Sequence, residues 1–232
     1  MATIDLGKHG PTLPAMDTRP PSERYHAAPH FADREHEFDA VKMGVWLFLG
    51  TEILLFSGMF CAYAVLRIMH PEAFIAGSHS LDVVPGLINT IVLLLSSYTV
   101  ASGVRHAQTG NIKWLKINIV LTFLAGLAFL LIKFVFEYSV KIEHGKLPGR
   151  FFSDPYAHSA YEPLWWGIYW GATGIHASHV IVGMGLFIWL FIRANKGQFG
   201  PGHYNAVEGV GLYWHIVDIV WIFLFPLLYL IH

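Results

Sequence analysis

Three stretches of this chain carry polar side chains among residues that are almost all apolar. In "GATGIHASHVIVGMG", residues 171–185, His176 and His179 lie three apart, so on a helix they share one face. In "YWHIVDIVW", His215 and Asp218 repeat that spacing, and Glu208 lies two turns earlier. In "WLFLGTEILLFSG", Glu52 stands alone. Imidazoles and carboxylates hold and pass protons, and both bind metals. In hydrocarbon each needs a hydrogen-bond partner, so together they predict an internal polar seam. Glu137, in "FVFEY", reads as a helix-terminal polar residue that can pair with Lys133 four positions earlier. Asn89, Thr90, Ser96 and Ser97 add amide and hydroxyl partners. The chain has no Glu-x-x-His within an apolar run, no HExxH and no dense histidine box, so no metal site of its own is expected. No phosphate loop or nucleophile elbow appears, and no catalytic residue is assigned.

The elements that must position these groups are membrane spans. Of 232 residues, 54% are hydrophobic and 13% charged, with a mean hydropathy of +0.47; soluble domains carry about 25% charge. Five apolar runs each suffice to cross about 30 Å of hydrocarbon. They cover about residues 41–68, 84–107, 114–138, 165–193 and 207–231. The expectation is an all-α integral membrane protein, a bundle of five transmembrane helices behind a polar, mostly disordered tail over residues 1–40. The tail has no apolar h-region, so it is not read as a signal peptide. The single cysteine, Cys61, excludes an internal disulfide, and a net charge of -1 gives nucleic acid no general attraction. Trp165, Trp166, Tyr169 and Trp170 form an interfacial belt, and Gly167 and Gly171 a GxxxG that invites a close helix.

Lysine and arginine orient the bundle. Ten (Lys8, Arg19, Arg24, Arg34, Lys42, Arg105, Lys113, Lys116, Arg193 and Lys196) fall on the side of the N-terminus. Four (Arg67, Lys141, Lys146 and Arg150) fall on the other, with Lys133 inside span three. The N-terminus is therefore expected in the cytoplasm and the C-terminus on the outer face.

The spans resemble the cytochrome c oxidase subunit III family of the haem–copper terminal oxidases. "GVWLFLGTEILLFSGMF" is similar to the family's first core segment, with Glu52 at its membrane-embedded carboxylate. "LINTIVLLLSSYTV" resembles the helix that follows. "TGIHASHVIVG" matches a His-x-x-His-Val-x-x-Gly signature through His176, His179, Val180 and Gly183. "EGVGLYWHIVDIVWIFLFPLLYL" matches the C-terminal helix through Glu208, Tyr213, Trp214, His215, Asp218 and Trp221. The resemblance implies a non-catalytic subunit beside oxidase subunits I and II, which carry the haem and copper. It also implies roles in stabilising the complex, holding phospholipid and supporting proton entry, within an oxidase that reduces oxygen to water and pumps protons. Longer family members have two further helices and a lipid-filled cleft; this chain has a tail there, as five-span bacterial members do. Some members also have Trp where Cys61 stands. Arg67, at the outer end of span one, is the expected contact for a lipid phosphate.

Rival readings remain at this level. A quinol oxidase subunit III would look the same, since the electron donor is chosen outside this chain. An accessory subunit of a nitric-oxide reductase is a third. A free-standing transporter or metalloenzyme built on Glu52, His176 and His215 belongs to a different class. Missing ligand boxes and missing inverted repeats stand against it.

Overall fold

In hydrocarbon every backbone polar group must be satisfied within its own segment, which leaves the helix as the answer for each apolar run. The computed structural model describes residues 32–157 and 159–231, and the expected disorder of the tail falls largely outside them. Five helices are long and apolar enough to cross a membrane. Helix α1 (Arg34–Met69) starts ahead of its apolar run, because the Asp33 side chain accepts from the His36 N–H at 2.8 Å and Glu35 and Glu37 favour a first turn. Pro71 then opens α2 (Pro71–His79), a short helix in what reads as a polar connection. Its Phe74 is fully buried, edge-on to Trp165 and Tyr63 at 5.1 and 5.3 Å. Asp82 caps α3 (Val83–Gln108), and Asn111 caps α4 (Ile112–Ile132) after a left-handed Gly110 at φ 77°. The third span continues through a π-helical turn at Lys133–Tyr138 into α5 (Ser139–Glu143). The fourth and fifth spans are α6 (Glu162–Asn195) and α7 (Asn205–Tyr229).

Four of the spans close a ring: α3 packs on α4 and α7, α4 on α6, and α6 on α7. Helix α1 stands outside it, touching α7 and α6 but not α3 or α4. Only 11% of the α1 span is buried, against 56% of α7, so α7 is the centre of the assembly and α1 an outrigger. Close approach within the ring depends on glycines other than those expected. A Cβ on Gly183 would sit 2.7 Å from Trp214, and one on Gly126 would sit 3.0 Å from it. Gly167 and Gly171 meet nothing within 4 Å, so among the described residues their GxxxG seats no neighbour.

Candidate functional site

The expected seam resolves into three separate groups, and the first joins α1 to α6. Glu52 Oε2 lies 2.7 Å from His179 Nε2, both side chains about 15% exposed. His179 Nδ1 is 2.8 Å from the Ile175 carbonyl, which can only accept, so Nδ1 carries a hydrogen. The Glu52–His179 contact then holds one proton, either a neutral acid donating to imidazole or an imidazolium donating to carboxylate. Phe56 packs on the His179 ring at 5.1 Å, and the Tyr213 hydroxyl donates to the His179 carbonyl at 3.0 Å. Tyr213 and Phe48 also border an apolar groove of about 370 Å³ between α1 and α6, lined further by Val45, Leu186 and Trp189. The pair thus stands beside a space open to the bilayer.

His176, one turn away, goes elsewhere. Three residues leave two side chains about 60° apart around a helix, enough to send His179 to α1 and His176 into the ring. There its Nε2–H donates to the Val217 carbonyl at 3.1 Å, with Phe129 and Trp221 against the imidazole.

The second group is a knot in the π-helical turn. Lys133 is fully buried, and its ammonium donates to Glu137 Oε2 at 2.6 Å, to the Tyr229 hydroxyl at 2.6 Å and to the Tyr169 hydroxyl at 3.4 Å. Tyr169 donates to Glu137 Oε2 at 2.8 Å, and Tyr229 donates to the same oxygen. All three ammonium protons and both phenols are placed, and one carboxylate oxygen gathers three donors, as charge-assisted bonding favours. The Trp221, Tyr169 and Tyr229 rings stand 4.9, 5.1 and 5.2 Å from the ammonium. Glu137 is 2% exposed, so it is not the helix-terminal residue its place in the sequence suggests: the span runs on past it to Glu143. Tyr169 and Tyr229 are the partners that sequence reasoning misses, since nothing local ties them to Lys133.

The third group lies between α3 and α7. His215 Nδ1 meets Ser97 Oγ at 2.7 Å, Trp214 Nε1 donates to Ser96 at 2.9 Å and Trp221 Nε1 to Thr90 at 3.1 Å. Asp218 and Asn89 are buried nearby, with the Asp218 carboxyl beside Ser97. Glu208 joins none of these groups. Two turns below His215 it has reached the end of α7, where it lies 3.9 Å from Lys42. Arg67 donates to the Tyr63 hydroxyl at 3.3 Å, which in turn donates to the free last-turn carbonyl of Leu227 at 2.5 Å. No three His, Cys, Asp or Glu side chains group closely enough among the described residues to hold a metal ion.

Fold and site together define a multi-pass helical membrane protein with acid–base pairs set at membrane depth. The family described as cytochrome c oxidase subunit III matches residues 33–232, and the chain belongs to that family of haem–copper oxidase subunits, which work in complex with other oxidase subunits. Cytochrome c oxidase subunit 3 of Corynebacterium diphtheriae is 33% identical over 207 residues, 88% of this chain and 95% of that protein. The probable cytochrome c oxidase subunit 3 of Mycobacterium tuberculosis is 34% identical over 192 residues, 82% of this chain and 88% of its own length. Quinol oxidase subunit 3 of Bacillus spizizenii is 30% identical over 188 residues, 81% and 85% of the two chains.

Proposed function

We propose that this chain is the non-catalytic subunit III of a proton-pumping oxidase that reduces oxygen to water. Haem and copper reside in partner subunits I and II. The chain stabilises that complex, holds phospholipid and supports proton uptake, with its N-terminus in the cytoplasm and its C-terminus on the outer face of the bacterial inner membrane. The observation that carries the reading is the one-proton contact of Glu52 with His179, set at the edge of the bundle rather than sealed within it. A proton held there can respond to a neighbouring subunit or to lipid. The apolar groove beside it suits an acyl chain, with the Arg193 guanidinium 4.8 Å over Trp189 available to a phosphate at one end. Arg67 serves the same purpose at the other end of α1. In lipid extracted from the purified complex, Arg67→Ala should lower bound phosphorus below wild type. No phosphorus above detergent background in either would dispose of the lipid role.

The test of the whole reading is purification of the tagged chain from its native membrane in mild detergent, with a reduced-minus-oxidised spectrum and identification of the accompanying subunits. Haem bands travelling with a large polytopic partner are expected. A colourless chain that purifies alone would overturn the reading. The likeness to a quinol oxidase subunit 3 supports a second version with quinol as donor, and a copper-binding subunit II in the same preparation would exclude it.

A further inference from the structure

Asp218 belongs to neither acid–base pair, yet it is buried as deeply as either. It and Ser97 each lie within about 3 Å of the midpoint of their helices, α7 and α3. Asp218 is 2% exposed, and its carboxyl stands beside Ser97. Among the described residues no lysine or arginine lies within ion-pair distance of it. The titratable side chains that the other helices turn toward α7 are engaged elsewhere. Lys133 and Glu137 hold each other, Glu52 holds His179, His176 donates to the Val217 carbonyl, and Lys42 meets Glu208 at the end of the helix. An ionised carboxylate at this depth would have a single hydroxyl in place of water and no cation, a cost that one hydrogen bond does not offset. The neutral acid is uncharged and has an O–H to donate.

Ser97 is placed to accept that hydrogen and to pass on its own. A hydroxyl has one hydrogen to give and two lone pairs, and Ser97 Oγ lies 2.7 Å from His215 Nδ1. His215 and Asp218 stand one turn apart on α7, so both reach the same serine. With Asp218 donating to Ser97 and Ser97 donating onward, Nδ1 is the bare nitrogen of a neutral imidazole that carries its hydrogen at Nε2. The two ends of this row differ in setting. Asp218 is sealed in the bundle, whereas His215 is half-buried and shares a face of α7 with the exposed Ile219.

We propose that Asp218, Ser97 and His215 form a second proton site of this chain, in which Asp218 holds a proton as the neutral acid and Ser97 relays it to His215 at the rim of the bundle. In the transfer the Asp218 O–H bond breaks and an N–H bond forms at His215 Nδ1, while Ser97 gives up its own hydrogen and receives that of Asp218. The resting site is uncharged; the transferred one has a carboxylate inside and an imidazolium at the rim. The assignment rests on the placement of these three groups and not on the oxidase reading. Its test is infrared spectroscopy of the tagged chain, purified with the subunits that accompany it, after growth on aspartate isotope-labelled in the side-chain carboxyl. The C=O stretch of a carboxylic acid stands apart from the carboxylate bands, and the label marks the aspartates. At neutral pH the wild type should show an aspartic acid band that Asp218→Asn lacks. In Ser97→Ala that band should move to higher frequency, because its hydrogen bond is gone, and its shift in D2O should develop more slowly. Ser97→Thr keeps the hydroxyl and should restore both. No such band in the wild type, or one that persists in Asp218→Asn, would overturn the proton site. A band whose frequency and exchange are unaltered in Ser97→Ala would overturn the relay, and this comparison decides alone if Asp218→Asn does not assemble.

Discussion

Glu52–His179 and Lys133–Glu137 are both acid–base pairs at membrane depth, and they are built on opposite terms. The first bridges the outrigger α1 to the ring, keeps about 15% of each side chain exposed and holds a single proton. The second is sealed among α4, α6 and α7, with every ammonium proton assigned and aromatic rings on its flanks. Removing water and saturating every donor makes a pair that fastens helices. Leaving one proton between two bases at the rim makes a pair that can change state. The difference lies in where the helices stand, since both pairs use the same few residue types.

Breaking the fastening pair should cost most. Lys133→Ala leaves an uncompensated buried carboxylate, with an expected loss of about 3–5 kcal/mol. Thermal unfolding of the purified complex, followed by retention of this chain, would register it as early dissociation. Lys133→Met combined with Glu137→Leu removes both charges and should recover part of that loss. If the double variant is no better than the single, the ion pair is not the source of the cost. Next comes the ring seam: Gly183→Ala drives a methyl against Trp214 and should cost about 1–3 kcal/mol. Glu52→Gln should cost less than about 1 kcal/mol, because the amide can still donate to His179 Nε2. Assembly should survive while turnover over prolonged cycling changes. Wild-type durability in that variant would reduce Glu52 to a packing residue. Smallest of all, Gly58→Ala on the outrigger meets nothing within 4 Å and should stay within about 0.5 kcal/mol of wild type. A large loss there would mean that α1 is covered in the complex.

Much of this is legible in the residues themselves. Apolar length alone locates the five spans, and the cost of a carboxylate in hydrocarbon singles out Glu52. What one-dimensional reading misses are angles and distant partners. His176 and His179 look like one site until their separation around α6 sends them to different helices. Lys133 and Glu137 are visible as a pair four residues apart, but Tyr169 and Tyr229 lie 36 and 96 residues from Lys133, and only tertiary packing brings them in. Helix α2 hides in a connection whose Pro71 start and buried Phe74 are outweighed by polar neighbours. Glu208 falls outside the seam its spacing predicts because two turns along α7 from His215 bring it to the first turn of the helix, beside Lys42.

The standing of α1 outside the ring also has a consequence in time. The first span to leave the ribosome finds its main partner in the last, as the 164 residues between Tyr63 and Leu227 record. At about 5–20 residues per second, that interval is roughly 8–30 s of synthesis. Throughout it α1 waits in the bilayer without α7. Until α6 follows, Glu52 waits too, a carboxyl group without its histidine. A nascent chain that stalls before α6 therefore carries an orphaned acid in lipid, where a carboxyl group without a partner is costly.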